Sequence, residues 1–356
     1  MTWTPLPLAP AFPPAGFAPL ADRIAALLGT QGDVLLIQGE AVVALEAAAT
    51  SLGRPGLRAL NIVTSLYGAW FGAWLRRQGA EVTDLRADPG LPVTVAAVDR
   101  ALDAGRYDLL AVVHAESASG ILNPLAGIAA LARAHGALVV ADAVASVGGH
   151  PLEVDALGLD VTVIGPQKSL GGQAGVSAIA LSPRAWEAVA PQGEAPSILS
   201  LADQRALWLA PGRGALPGTP SALEFHALQA TLDRVEAEGL PALIARHEGA
   251  ARAARAGVKA LLGREWVPPA QASNLVTAAP LPEGLSAAQV LAALPPESTI
   301  GAGVGPGGDR LLRLNHTGPR ARLDTVLGDL AALGAALRHL GVQADVGAAL
   351  SRAVSA

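Results

Sequence analysis

The sequence predicts an α/β chain built on a large, doubly wound, mainly parallel sheet and completed by a small C-terminal α+β unit. Three observations carry that expectation. Short apolar runs at residues 34–37, 60–63, 109–114, 138–142, 161–165 and 176–181 recur between helix-like segments. Each is apolar on both faces, as parallel strands covered by helices on either side must be. The intervening segments 41–52, 69–78 and 124–134 each carry a single apolar stripe, which suits a helix lying on a sheet. After residue 181 the alternation stops and helical patterns take over. In such a sheet the ligand belongs beyond the carboxyl ends of the strands.

Taken in order, residues 1–21 are uncharged and carry prolines at 5, 7, 10, 13, 14 and 19 with no basic residue ahead of them. Neither a secretory signal nor a membrane helix has that composition. Residues 1–20 are expected to form an N-terminal arm, 21–240 a large domain and 241–356 a small one. Pro124 suits the first turn of its helix, where no N–H is required. Downstream, 201–210 reads as a helix and 221–238 as a longer one, stopped by Gly239 and Pro241. In the small unit Trp266, 274–278 and 311–315 look like strands, and 286–294 and 322–340 like helices. The run Gly303-Val304-Gly305-Pro306-Gly307-Gly308 matches a dinucleotide fingerprint only on paper: an apolar strand follows it in place of a helix. It reads as a turn.

At 356 residues the chain is long enough for two cores. Apolar residues make up 51% and charged residues 15%, and the apolar excess is mostly small aliphatic, which favours tight helix-on-sheet packing over lipid contact. The absence of cysteine rules out disulfides, thiolate chemistry and cysteine-ligated zinc, and fits a cytoplasmic location. No metal site is expected. A net charge of −5 with no basic run leaves nothing to neutralise a phosphate backbone, so a small molecule is a better partner than nucleic acid.

Two residues point to chemistry. Asp142 closes the run Val139-Val140-Ala141-Asp142, where a carboxylate is costly unless a cation meets it. Lys168 stands in the turn Gly165-Pro166-Gln167-Lys168-Ser169-Leu170-Gly171-Gly172, and lysines in dry corners are candidates for a lowered pKa and Schiff-base formation. Singly, Asp142 reads equally well as a helix cap and Lys168 as a loop lysine. Together, an acid and an amine at neighbouring strand ends suit a pyridine ring bearing an aldehyde: the acid keeps the ring nitrogen protonated, and the amine holds the aldehyde and shuttles a proton.

The segments His114-Ala115-Glu116-Ser117-Ala118-Ser119-Gly120, Val140-Ala141-Asp142-Ala143-Val144-Ala145-Ser146-Val147-Gly148-Gly149 and Gly165-Pro166-Gln167-Lys168 resemble the class V aminotransferases, the alanine–glyoxylate and serine–pyruvate family. The likeness runs from about residue 35 to the end. It implies a pyridoxal-dependent transferase of fold type I, a homodimer with active sites at the subunit boundary. It also implies amino transfer between a small amine donor and a 2-oxo acid such as pyruvate or glyoxylate. On that template Lys168 carries the cofactor, Asp142 pairs with its ring nitrogen, and Ser117 and Gln167 contact its phenolic oxygen. Tyr67 falls where the family stacks an aromatic on the ring, although it reads equally as a core aromatic. Arg313, set between apolar neighbours in Leu311-Leu312-Arg313-Leu314, falls where the family binds the substrate carboxylate; a bidentate carboxylate would offset the cost of burying it. An internal ion pair is the other reading.

The pattern also departs from the family. Where its members hold the phosphate of pyridoxal 5'-phosphate with hydroxyl and backbone donors at a helix N-terminus, this chain has Gly39-Glu40-Ala41-Val42. Glu40 would face the phosphate with like charge, at roughly 4 kcal/mol for unit charges about 4 Å apart. The pyridoxamine–pyruvate branch of the family, which handles the vitamer without phosphate, has a similar Gly-Glu-x-Val stretch. There Glu40, Ala41, Val42 and Thr219 would contact unphosphorylated pyridoxal or pyridoxamine. Alternatively Glu40 swings into solvent or pairs with an arginine, leaving phosphate to backbone amides. The opening before residue 35 is shorter than the family's, and Val304 replaces that branch's second carboxylate-binding arginine. A catalytically impaired protein that only binds a B6 vitamer, or serves as a dimeric scaffold, is the rival these departures motivate.

Overall fold

The computed structural model describes residues 9–191, 193–305 and 307–356. Residues 1–8 of the expected arm and Pro306 of the glycine-rich run lie outside these. A seven-stranded sheet is built from β1 (Asp33–Gln38), β2 (Arg58–Val63), β3 (Glu81–Arg86), β4 (Leu109–Val113), β5 (Leu138–Asp142), β6 (Val161–Ile164) and β7 (Val176–Leu181), in spatial order β1-β7-β6-β5-β4-β2-β3. From β3 to β6 all neighbours are parallel. β7 runs antiparallel to both β6 and β1, which corrects the expectation of a parallel strand at 176–181. The turn joining β6 to β7 contains no helix, and a parallel return needs a crossover connection.

Packed with this sheet are α1 (Phe17–Leu28), α2 (Ala41–Leu52), α3 (Leu66–Arg77), α4 (Val95–Ala104), α5 (Leu125–Ala134) and the short α6 (Val154–Leu157), α7 (Pro183–Ala188) and α8 (Leu201–Gln204). α1 begins inside the expected arm, and Pro124 sits one residue ahead of α5, at its N-cap. The helix expected over 201–210 changes after Gln204 into a π-helical turn, Arg205–Leu209. α9 (Ala222–Glu238) ends at Gly239, φ 83°, and α10 (Leu240–Leu262) starts at once, with Pro241 in its first turn. Pro241 therefore opens a helix rather than closing one, because a first-turn residue has no intrahelical acceptor for an N–H.

The C-terminal part pairs β8 (Thr277–Pro280), β9 (Gly301–Ala302) and β10 (Leu311–Leu314) in a three-stranded antiparallel sheet ordered β8-β10-β9, with α11 (Ala287–Ala292), α12 (Leu323–His339) and α13 (Val346–Val354). Trp266 is not in a strand, and the strand expected at 274–278 starts only at Thr277. Two buried apolar clusters divide within α10, the first reaching Leu243 and the second starting at Ala250. No helix among the described residues is long and apolar enough to cross a membrane.

Candidate active site

The carboxyl ends of β4, β5 and β6 and the N-termini of α2 and α3 converge on one cavity of about 40 Å³. Asp142 is the last residue of β5, and Lys168 lies in the turn after β6 that Gly171 N closes onto Lys168 O at 3.0 Å. Gly171 has φ +72°, and a Cβ there would come within 2.8 Å of Pro319, so the turn needs glycine. The cavity's polar groups come from Glu40, Ser117, Asp142 and Lys168; Tyr67 from α3 and Val144 after β5 supply apolar surface. The acid and the amine picked out in the sequence thus face one space. Val144 was not singled out, although its place two residues after Asp142 was the available signal.

Burial pushes the Asp142 carboxyl up to about 6, Glu40 adds to the rise, and the Val144 N–H and Lys168 oppose it. Burial pulls the Lys168 amine down, helped by the nearby Arg313, while Glu40 and Asp142 pull the other way. One oxygen of Asp142 accepts from Val144 N at 3.0 Å, a local turn, and no helix follows for it to cap. Among the described residues no lysine or arginine lies within ion-pair distance of Asp142. A protonated pyridine nitrogen is a cation that suits this carboxylate.

Glu40 neither extends fully into solvent nor pairs with an arginine among the described residues. It is the N-cap of α2, its Oε2 accepting from Val42 N at 2.9 Å, and its Oε1 accepts from Gln167 Nε2 at 2.7 Å. The carboxylate thus satisfies one of the free N–H groups at the N-terminus of α2.

Arg313 is half-buried on β10 and has no internal ion pair among the described residues. Its Nε donates to Ala302 O at 2.7 Å and its Nη1 to Ser117 O at 3.0 Å. Burial pulls its pKa down. Tyr67 packs edge-on against Trp70 at 5.6 Å between centroids while lining the cavity. Thr219 is exposed and does not line the cavity. Val304 is exposed as well. Glu116, quoted in the first motif but given no role, is fully buried beside Ser117.

A mainly parallel sheet whose strand ends hold an acid and an amine around one small cavity defines a pyridoxal-dependent transferase of fold type I. Residues 17–306 match the family model "Aminotransferase class-V", and the chain belongs to that family. It is 31% identical over 342 residues to the pyridoxamine–pyruvate transaminase of Mesorhizobium japonicum, covering 94% of this chain and 86% of the relative. The alanine–glyoxylate aminotransferase of Callithrix jacchus is 30% identical, covering 86% of this chain and 75% of that one. The crystal structure of pyridoxamine–pyruvate aminotransferase from Mesorhizobium loti superposes with a TM-score of 0.90 at 31% identity, covering 96% of this chain and 88% of the other. The protein is therefore an enzyme that moves an amino group between an amine donor and a keto acid, with the pyridoxal chemistry its family implies.

Proposed function

We propose that this enzyme takes an unphosphorylated B6 vitamer, pyridoxamine, as its amine donor and a small 2-oxo acid, pyruvate or glyoxylate, as acceptor. The observation that carries this reading is the Glu40 carboxylate seated on Val42 N and Gln167. A phosphate entering there meets a like charge worth roughly 4 kcal/mol at about 4 Å and must also displace a helix cap worth about 1 kcal/mol. A hydroxymethyl group instead donates a hydrogen bond to the same carboxylate. The Mesorhizobium japonicum relative, named for pyridoxamine and pyruvate, supports the reading.

A bound pyridoxal ring supplies the electron sink for breaking a C–H bond. Asp142 holds a proton on the ring nitrogen. Lys168 Nζ, whose hold on its proton is weakened by burial and Arg313, takes the proton from the carbon that bears the amine and returns it to the acceptor's carbon. Tyr67 and Val144 flank the ring and exclude water. Ser117 donates to the phenolic oxygen, and so does the second N–H of Gln167, whose first is spent on Glu40. Ala41 and Val42 border the hydroxymethyl end. Arg313 aims its remaining donors at the oxo acid's carboxylate, steadied by Ala302 O and Ser117 O. Thr219, exposed and away from this cavity, contacts a ring only across a subunit boundary, which favours a homodimer. The groove of about 210 Å³ beside it, lined by Ile198, Leu207 and Pro217, supplies apolar surface for such a contact. A cytoplasmic location follows from the same reading of a cysteine-free metabolic enzyme.

The test is consumption of the oxo acid by purified enzyme offered pyridoxamine or pyridoxamine phosphate with pyruvate, or alanine and pyridoxal phosphate with glyoxylate. Turnover with free pyridoxamine alone is expected; turnover confined to the phosphorylated vitamers would overturn the assignment.

A further inference from the structure

We propose that Glu116 is a positioning residue, a buried carboxyl that ties the cavity wall bearing Tyr67 to the wall bearing Ser117 and so sets the slot in which the ring lies. This rests on the reading above that a B6 ring occupies the cavity. Glu116 follows the bridge between Ala115 and Leu122, and its backbone is fixed by Glu116 N to Ile121 O and Gly120 N to Glu116 O, both 2.8 Å. It is not part of the cavity's lining, and 0% of the residue is exposed. Oε1 accepts from Thr64 Oγ1 at 2.5 Å, and Thr64 in turn accepts from Asn123 Nδ2 at 2.8 Å, which also donates to Val113 O at 2.8 Å. The residue after Thr64, Ser65, caps α3 by accepting from Tyr67 N at 3.2 Å. The residue after Glu116, Ser117, lines the cavity and offers its carbonyl to Arg313. One carboxyl thus joins the stacking helix to the strand end that carries Ser117 and, through it, Arg313.

The second oxygen, Oε2, is sealed from solvent with no hydrogen-bond partner, and no lysine or arginine is within ion-pair distance of Glu116 among the described residues. Facing it are Thr64 and Ser65 from the turn between β2 and α3 and Asp142 from the end of β5, while Tyr67 on α3 and Arg313 on β10 lie beyond Ser65 and Ser117. Burial pushes the carboxyl up to about 7, the neighbouring Ser65 and Thr64 hydroxyls moderate the rise, and Asp142 adds to it. The acid form accepts on one oxygen and carries its proton on the other, so that no charge is buried there. The ionised form places an uncompensated charge beside an Asp142 that must itself be ionised to hold a ring proton. Two neighbouring carboxyls held at different values let one be charged while the other stays neutral.

The experiment compares the parent with Glu116→Gln, which keeps both hydrogen-bonding directions and cannot ionise, and with Glu116→Ala, which has neither. Pyridoxal binding is read by visible absorbance from pH 6 to pH 8, and the thermal midpoint of the vitamer-free proteins over the same range. The ratio of Glu116→Gln to parent affinity is expected to rise about tenfold between pH 6 and pH 8, since one unit above the group's value leaves about a tenth of it as acid. The midpoint of the vitamer-free parent is expected to fall relative to Glu116→Gln over the same range. Glu116→Ala, where it folds, is expected to bind pyridoxal more weakly at every pH. A flat ratio overturns the proposal, and so does a Glu116→Gln protein as weak as Glu116→Ala. If the parent takes up no pyridoxal at all, the vitamer reading fails instead.

Discussion

Burial acts on Asp142 and Lys168 in opposite chemical directions, raising the acid and lowering the amine, so it favours the neutral form of each. The pair was legible in the sequence because two reactive residue types stood at the ends of neighbouring apolar runs, each expensive to bury alone. Glu116 was not legible, since nothing local separates a carboxyl sealed under a turn from one in solvent. Substituting Lys168→Ala is expected to lower kcat by about 10²–10⁴-fold, the usual worth of a positioned proton carrier. It should also abolish the vitamer adduct that borohydride fixes in the parent, read by peptide mass mapping. Arg313 makes a different prediction. Loss of a charge-assisted hydrogen-bond pair costs roughly 1.5–3 kcal/mol, so Arg313→Gln should raise KM for the oxo acid by about 10–100-fold. A change confined to kcat would remove the carboxylate-anchor role.

Among the elements, α2 carries a glutamate as its N-cap beside the cavity. Its bounds were legible from one apolar stripe, Ala41 through Leu52, but the use of its N-terminus was left open between two readings, because a sequence does not say where a glutamate's oxygens go. Glu40→Ala is expected to cost about 1 kcal/mol of stability, seen as a small drop in the urea midpoint. It should also shift preference toward the phosphorylated vitamer by roughly 10²–10³-fold, the scale of the like-charge repulsion removed; unchanged preference would mean that the cap has no part in vitamer choice. Other elements were hidden for physical reasons. β3 is an edge strand whose residues are only partly buried, so it lacks the double-sided apolar run that revealed its neighbours. α10 buries alanines and Gly257, which packs against Leu330 closely enough to exclude a Cβ. A stripe of small residues carries little of the hydrophobic signal that periodicity needs.

At the scale of the whole molecule, the large and small sheets meet over four histidines kept neutral. His150 Nε2 accepts from Asn274 N at 3.0 Å, His316 Nε2 pairs with Thr277 Oγ1 at 2.8 Å, and His247 Nε2 accepts from Gly318 N at 2.9 Å; His114 packs 5.8 Å from His150 between ring centroids. Burial lowers His114 and His247 to about 4 and His150 and His316 to about 3. Above the ordinary imidazole value near 6.5 these groups cost nothing. As pH falls below it, the unfolded chain takes up protons that the folded chain refuses, and stability drops by roughly 1.4 kcal/mol per pH unit for each fully charged histidine. Asp142 and Glu116 have the opposite sign: their raised values, about 6 and about 7, make the folded state hold protons the unfolded state releases, so the stability they add is present at low pH and lost as pH rises toward 7. Four imidazoles outweigh two carboxyls, leaving a net loss of roughly 5 kcal/mol between about pH 6.5 and pH 4.5. That is comparable to the whole stability of an ordinary domain, about 5–15 kcal/mol. The expected outcome is a urea midpoint that falls steeply from pH 6.5 to pH 4.5. The double variant His150→Gln, His316→Gln should remove most of that net slope, because the two imidazoles that remain are roughly balanced by the two carboxyls; an acid slope the same in both proteins would place the sensitivity elsewhere than at this seam.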